Sequence, residues 1–249
     1  MTVEAEVLFG LNPVMAVLAD AARPVESLWM VAGLHGGRVR EVERLAQERG
    51  VRPKFIERAA MDRLTGGAVH QGVALRVGVR AQPSWESLLA RLETVVDPVL
   101  LLLDGIEDPR NFGAILRCAE AFGVEAVILP RDRSAPLSGV AVKASAGAAE
   151  RVDVIRVTNL ARAMNELREY DVRVVGLDGD ADVRLDDAGV DWSGPLALVL
   201  GSEGRGLRRL TRERCDRLVA IPMAGGVGSL NVATAVGIAL YEVRGRKGV

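Results

Sequence analysis

Ser229 and Asn231 stand where a helix of small residues should begin, directly behind Gly225, Gly226 and Gly228 in the run Ile221-Pro-Met-Ala-Gly-Gly-Val-Gly-Ser-Leu-Asn-Val232. Glycines let backbone amides and carbonyls approach a ligand without a Cβ in the way, and they supply positive φ angles. A helix N-terminus adds unpaired N–H groups that favour anions or polar ligand edges. Glu203 has a similar setting: the apolar run 196–200 stops at a loop carrying Gly201, Gly204 and Gly206 around that carboxylate. In a third segment, Leu103-Asp104 leads through Gly105 and Asp108-Pro109 into a helix for which Asn111 is the expected cap. Gly113, Ala114 and Arg117 share a face of that helix, and small residues beside a long guanidinium would leave room for a substrate backbone. On spacing alone Arg117 reads as a site cation or a surface charge, and Glu203 as a site carboxylate or a helix-capping acid.

Several chemistries fall away. Neither GxxxxGK[ST] nor GxGxxG is present at these loops, and a carboxylate at Glu203 would repel pyrophosphate. The loop suits an uncharged or cationic partner better. His35 and His70 are too few for a metal cluster, no HExxH or CxxC occurs, and Ser229 lacks a GxSxG elbow. Cys118 and Cys215 read as reduced core thiols. What remains is a site of backbone groups with one arginine, one carboxylate, one serine and two asparagines.

The elements that must position these groups follow from periodicity. Residues 7–80 suggest a compact α/β unit, with Asn12 as cap and Pro13 at the first position of a helix to 18. Strands are expected at 27–31, 51–56 and 69–77 and a helix at 38–49. A linker with an amphipathic helix at 85–94 spans 81–97, between Pro83 and Pro98, so the predicted division is 1–80, 81–97 and 98–249. From residue 99 strands (99–103, 126–129, 153–157, 173–176, 196–200, 218–221) alternate with helices (111–121, 160–170, 231–243). That alternation predicts a parallel sheet covered on both faces, with the loops at its strand ends converging on one crevice.

Composition agrees with a soluble α/β protein. Of 249 residues 49% are apolar but only 4% aromatic, so the core must be aliphatic. No apolar stretch reaches 18 residues and no signal-like pattern opens the chain, so a cytoplasmic protein without a membrane span is expected. The net charge of −1 exerts no general pull on nucleic acid. Lysine occurs only at Lys54, Lys143 and Lys247, and arginine suits phosphate forks and base stacking better.

The motif residues in this order closely resemble those of the SpoU (TrmH) family of RNA ribose 2′-O-methyltransferases. The resemblance rests on Asn111…Arg117, on Gly201-Ser-Glu203-Gly, and on Ile221-Pro-Met…Ser229-Leu230-Asn231-Val. Phe9-Gly-Leu-Asn-Pro-Val14 and Ala68-Val-His-Gln-Gly-Val73 also resemble the family's appended substrate-binding domain, so the resemblance covers nearly the whole chain. It is nearest to the branch that methylates a guanosine of 23S ribosomal RNA, many members of which carry a serine where this chain has Gly228.

That resemblance implies an α/β catalytic domain with a mostly parallel sheet and a C-terminal trefoil knot, preceded by a small ribosomal-protein-like RNA-binding domain. It implies a homodimer and S-adenosylmethionine as methyl donor, held through Gly201, Ile221 and Leu230, with no metal. The arginine matching Arg117 is the family's proposed base. Because a free guanidinium has a pKa above about 12, the expectation here is that Arg117 binds the adjacent phosphate and stabilises developing oxyanion character. Ser229 and Asn231 would orient the ribose or Arg117, Asn111 would hold RNA or the loop, and Glu203 would support the site. Arg131, Arg133, Arg205, Arg208 and Arg209 adjoin the motif loops and are nominated as RNA phosphate contacts, while His70 and Gln71 could face RNA or serve structure. The alternatives are a transfer-RNA methyltransferase, disfavoured by the long N-terminal domain, and a non-catalytic RNA-binding ribosome-assembly factor, disfavoured by the intact motif residues.

Overall fold

The computed structural model describes residues 5–21, 23–78, 83–226 and 228–248, so Val227 and the boundary expected near residue 81 lie outside the described residues. The chain divides into two compact units, one of residues 1–81 with 146–151 and one of residues 82–145 with 152–249. No helix among the described residues is long and apolar enough to cross a membrane.

The first unit runs β1 (Ala5–Phe9), α1 (Leu11–Ala19), β2 (Val25–Val31), α2 (Gly37–Glu48), β3 (Pro53–Ile56), α3 (Arg58–Leu64) and β4 (Val73–Gly78). Its sheet has the order β1-β4-β2-β3; β4 is antiparallel to both β1 and β2, and β3 forms a parallel edge. Val14, Leu28, Met30, Val42 and Leu75 make its core. The buried Arg23 pairs with Glu6 and Glu150 and donates from Nε to the Gly78 carbonyl at 3.2 Å. Those bonds explain why the short 3-10 turn at Ala148–Glu150 belongs with this unit. Helix α1 does not start as expected. Gly10, at φ +93°, precedes it, and Asn12 and Pro13 lie inside the first turn. The cap is supplied from afar: Gln71 Oε1 accepts from Leu11 N–H at 3.0 Å. His70 is buried too, its Nδ1 accepting from Gly72 N–H at 2.9 Å while Nε2 meets Asp62 Oδ1 at 2.8 Å. His70 and Gln71 thus hold the turn into β4 and the start of α1.

The second unit runs α4 (Trp85–Leu92), β5 (Val99–Asp104), α5 (Pro109–Ala121), β6 (Ala126–Pro130), α6 (Gly139–Ala144), β7 (Val154–Val157), α7 (Leu160–Arg168), β8 (Arg173–Leu177), β9 (Leu196–Gly201), α8 (Arg209–Glu213), β10 (Arg217–Val219) and α9 (Val232–Lys247). Every pairing in its six-stranded sheet, order β10-β8-β9-β5-β6-β7, is parallel. All six residues of β5 and all five of β6 are buried, as strands covered on both faces must be. The segment expected as a linker is more than a tether. Leu88 and Leu92 of α4 join the core with Leu100, Ile128 and Met164, Trp85 Nε1 donates to Glu166 at 2.6 Å, and Arg91 pairs with Asp153 at 2.7 Å.

The strand order reverses between β5 and β9. From β5 the chain moves outward through β6 and β7, then returns to place β8, β9 and β10 on the other side. In open parallel sheets this switch point opens a crevice beyond the carboxyl ends of the strands. Asp104 and Gly201 are register partners across it, so the loops after β5 and β9 leave the sheet side by side.

Candidate active site

Three polar side chains, from the first turn of α5, the loop after β9 and the cap of α9, meet at this switch point. Helix α5 is capped by Asp108, whose side chain accepts from Arg110 N–H at 2.8 Å, with Pro109 in the first helical position. The cap is therefore Asp108 and not Asn111. This frees the Asn111 amide, which donates to Glu203 Oε1 at 3.1 Å and accepts from Asn231 Nδ2 at 2.9 Å. Asn231, expected as the first residue of the helix, instead caps α9, its Oδ1 accepting from Ala233 and Thr234 N–H at 3.0 and 3.3 Å. Its amide also donates to Glu203 Oε1 at 2.8 Å, and Val232 N–H reaches the same oxygen at 3.2 Å. Glu203 is thus an ionic hub: one carboxylate oxygen gathers three donors and ties the loops after β5 and β9 to the start of α9.

The loop carrying Glu203 is shaped by its glycines. Gly206 N–H bonds back to the Ser202 carbonyl at 2.9 Å, with positive φ at Gly204 and Gly206. A Cβ at Gly201 would overlap the Gly206 carbonyl and the Leu207 amide, so glycine is required there by the fold itself. Asp104, only 1% exposed, anchors the far side: its Oδ2 accepts from Arg208 N–H at 2.9 Å and its Oδ1 lies 3.4 Å from Arg208 Nη1. Sequence reasoning missed Asp104, although a carboxylate ending an otherwise apolar buried strand was the available signal.

Two clefts open beside Glu203. The larger, about 390 Å³, is lined by Leu177, Gly201, Gly204, Ile221, Gly228 and Leu230 among others. The smaller, about 290 Å³, is lined by Gly105, Asp108 and Asn111. Ser202, Glu203, Arg205 and Val232 border both. Gly201, Ile221 and Leu230 therefore come together in one cleft, and Ser229 borders it as well. Its volume falls within the range of small-molecule sites, and its lining mixes aliphatic side chains with glycine backbone. That fits a nucleoside with an aliphatic, cationic tail. The Asp178–Arg212 pair at 2.6 Å on the same wall was not foreseen from sequence.

Other expected residues separate. Arg117 is exposed on α5 and makes no hydrogen bond or ion pair among the described residues. The room expected beside it is filled, because Gly113 packs against α6, where a Cβ would meet the Ala141 carbonyl and sit 2.6 Å from Ala144 Cβ. Arg131, Arg133 and Arg205 are exposed and unpaired among the described residues. Arg208 is committed to Asp104, and Arg209 pairs with Glu213 at 2.8 Å one turn along α8, so these two nominees have structural partners. Gly225 and Gly226 do not have positive φ. Neither thiol is poised as a nucleophile: burial pushes Cys118 upward, and burial first, then the Asp216 charge, pushes Cys215 to about 12.

Comparison with known proteins agrees with this geometry. Residues 98–241 match the model of the SpoU rRNA methylase family, and residues 7–80 match the RNA 2′-O ribose methyltransferase substrate-binding model. The 23S rRNA (guanosine-2′-O-)-methyltransferase RlmB of Yersinia pestis is 44% identical over 244 residues, covering 98% of both chains. The protein of the same description from Escherichia coli K12 is 44% identical over 237 residues, covering 95% of this chain and 97% of its own. Among solved structures, the SpoU methyltransferase AviRb of Streptomyces viridochromogenes, in complex with AdoMet, superposes with a TM-score of 0.77 at 25% identity over 98% of this chain and 90% of its own. With its parallel sheet, its switch-point network and matches along nearly its whole length, this chain belongs to the SpoU rRNA methylase family.

Proposed function

We propose that this protein transfers a methyl group from S-adenosylmethionine to a ribose 2′-hydroxyl of RNA, on a guanosine of 23S ribosomal RNA. The observation that carries the reading is the shared wall of the two clefts: a donor in the larger and a nucleotide in the smaller would meet at Ser202, Glu203 and Val232. Relatives of the same length named as 23S rRNA guanosine methyltransferases support the substrate. Residues 98–249 would carry the chemistry and residues 1–80 the RNA-binding surface, in a cytoplasmic enzyme whose C-terminal segment is knotted.

When bound, S-adenosylmethionine supplies an electrophilic methyl on a sulfonium. Gly201, Ile221 and Leu230 would hold it through backbone and aliphatic contacts. Methyl transfer needs little covalent help, and alignment of reacting atoms at about 3–3.5 Å can contribute about 7–11 kcal/mol. The Asn111–Glu203–Asn231 network is suited to that task because it fixes both cleft walls with charge-assisted bonds. Ser229 would orient the ribose. Arg117 would bind the neighbouring phosphate and stabilise charge on the 2′-oxygen, in the manner of a preorganised cation. Arg131, Arg133 and Arg205, being unpaired, are the retained candidates for RNA phosphates.

The reading includes a homodimer. Helix α9 lies along α5, with the Phe122 and Tyr241 rings edge to face at 6.5 Å, and it presents Ile238 and Tyr241, the latter 70% exposed, on the outside. This exposed apolar face is where a second copy would pack.

The test is methyl transfer from labelled S-adenosylmethionine to unmodified 23S ribosomal RNA, mapped to the nucleotide, with Arg117→Ala alongside. A single 2′-O-methylguanosine, lost in the variant, is expected. Transfer to bulk transfer RNA instead would move the substrate. Silence on both, from a folded dimer, would favour the non-catalytic assembly factor.

A further inference from the structure

The first unit carries a cleft of its own, about 450 Å³, where β2 and β3 end and α2 begins. Buried Met30 and Val39 border it, with Leu34, His35, Arg40, Glu43 and Phe55 around them. Phe55 sits on the edge strand β3 and is 61% exposed. It takes no part in the hydrophobic core of its unit, so its ring contributes little to folding. A single exposed apolar side chain is ordinary on a protein surface; Phe55 differs in lining a cleft together with buried Met30 and Val39 and with Arg40.

Charge narrows the occupant. Arg38 and Arg40 on α2 and Arg58 just after β3 are exposed, and none pairs with a carboxylate among the described residues. Arg44 on the same helix, by contrast, is held by Glu41 at 2.7 Å and by Glu48. The chain carries net charge −1, and of these arginines Arg40 lines the cleft itself, beside Glu43. An exposed ring, an apolar floor and free guanidinium groups together match an unpaired nucleotide, because every base has a stacking face and every linkage a phosphate. A duplex offers no such face.

We propose that this cleft receives one unstacked nucleotide of the RNA substrate. The base lies on the Phe55 ring, Arg40 and its neighbours meet the flanking phosphates, and the Glu43 carboxylate accepts from N–H groups on the base edge, which favours guanine, whose N1–H and N2–H donors lie side by side. The proposal rests on the RNA reading above and assigns part of target choice to residues far along the sequence from the catalytic motifs.

The test uses the full chain and a labelled single-stranded fragment of large-subunit ribosomal RNA, followed by fluorescence anisotropy across salt, with the same sequence as a duplex for comparison. Phe55→Leu should weaken single-strand binding about tenfold, the scale of one lost base–aromatic stack, with S-adenosylmethionine affinity and Tm unchanged. Phe55→Trp should retain binding. Arg40→Ala should reduce the slope of log affinity against log salt by about 0.7, the value for one phosphate on a single strand. Wild-type single-strand affinity in Phe55→Leu, with rRNA methylation intact, would overturn the cleft assignment and leave the function standing. Normal binding of naked RNA by Phe55→Leu, but loss of binding to precursor particles, would also overturn it and point to a ribosomal protein. If the wild-type protein binds S-adenosylmethionine but neither holds nor methylates RNA, the functional reading fails and this proposal with it.

Discussion

The two glycine loops that border the larger cleft solve different problems. The loop at 201–207 is closed on itself: Gly206 bonds back to Ser202, Gly204 and Gly206 take positive φ, and Gly201 has no room for a Cβ. The loop at 222–230 is exposed along its described residues, except for the half-buried Leu230. A Cβ on Gly225, Gly226 or Gly228 would meet nothing within 4 Å, and neither Gly225 nor Gly226 has positive φ. Glycine in the first loop answers a demand of the fold. In the second the packing makes no such demand, and the loop borders the larger cleft. The same residue type therefore carries opposite information, and only the packing around it separates the two.

The largest expected effect falls on the closed loop. Gly201→Ala forces a methyl into the Gly206 carbonyl, backbone against backbone, with no flexible side chain to yield. Overpacking of this kind costs about 3 kcal/mol, which for a protein of this size lowers Tm by about 6–12 °C. Thermal unfolding followed by circular dichroism measures it, and S-adenosylmethionine binding should be lost as well. A variant with unchanged Tm would show that the loop can open at little cost and would erase the contrast.

Next comes the carboxylate that joins the closed loop to α5 and to the start of α9. Glu203→Gln keeps the shape but removes the charge from an acceptor serving Asn111, Asn231 and Val232. Charge-assisted bonds are roughly twice as strong as neutral ones. A fall in kcat/KM of at least tenfold, about 1.4 kcal/mol, is expected with Tm nearly unchanged because the site is exposed. A large drop in Tm with normal kcat in the surviving folded fraction would instead make Glu203 a fold residue like Gly201.

The arginines sharpen the same distinction at lower amplitude. Arg208 is tied to the buried Asp104, whereas Arg205 borders both clefts unpaired. Arg208→Ala should cost about 1 kcal/mol of stability, kept small because the guanidinium is half exposed and screened. Arg205→Ala should leave stability alone and weaken RNA binding severalfold, with a shallower salt dependence. Denaturant titration and binding isotherms on the two variants separate these roles, and exchanged phenotypes would reverse the assignment.

How much of this was legible in the sequence depended on whether a feature was local. The buried strands announced themselves as continuous apolar runs, and the start of α9 is legible to within a residue, although Asn231 reads as its first residue and not as its cap. Strand β1, helix α3 and helix α6 were not foreseen; α6, Gly-Val-Ala-Val-Lys-Ala, has no polar face to reveal its period, and it forms against the bare Gly113. The Asp108 cap was overlooked because Asn111 satisfies the same preference three residues later. Gln71 capping α1 from sixty residues away and Arg208 answering Asp104 are long-range bonds that no local pattern encodes. The motif residues were found, but the fact that three of them form one bonded unit while Arg117 stands apart needed the fold.

The smallest effect on stability is expected in the open loop, and it tests the contrast most directly. Gly225→Ala places a methyl in open space at a backbone conformation without positive φ. Reduced freedom of the unfolded chain then leaves stability unchanged or raises it by up to about 1 kcal/mol, so Tm should stay level or rise slightly. If that glycine is kept for a ligand, the same methyl should raise the Kd for S-adenosylmethionine or the KM for RNA severalfold. Calorimetry and steady-state kinetics distinguish the two ligands. A drop in Tm would mean that the loop carries a packing demand after all. Unchanged Tm together with unchanged Kd and KM would leave Gly225 with no role in fold or ligand, and would place the demand on Gly226 and Gly228, nearer Ser229.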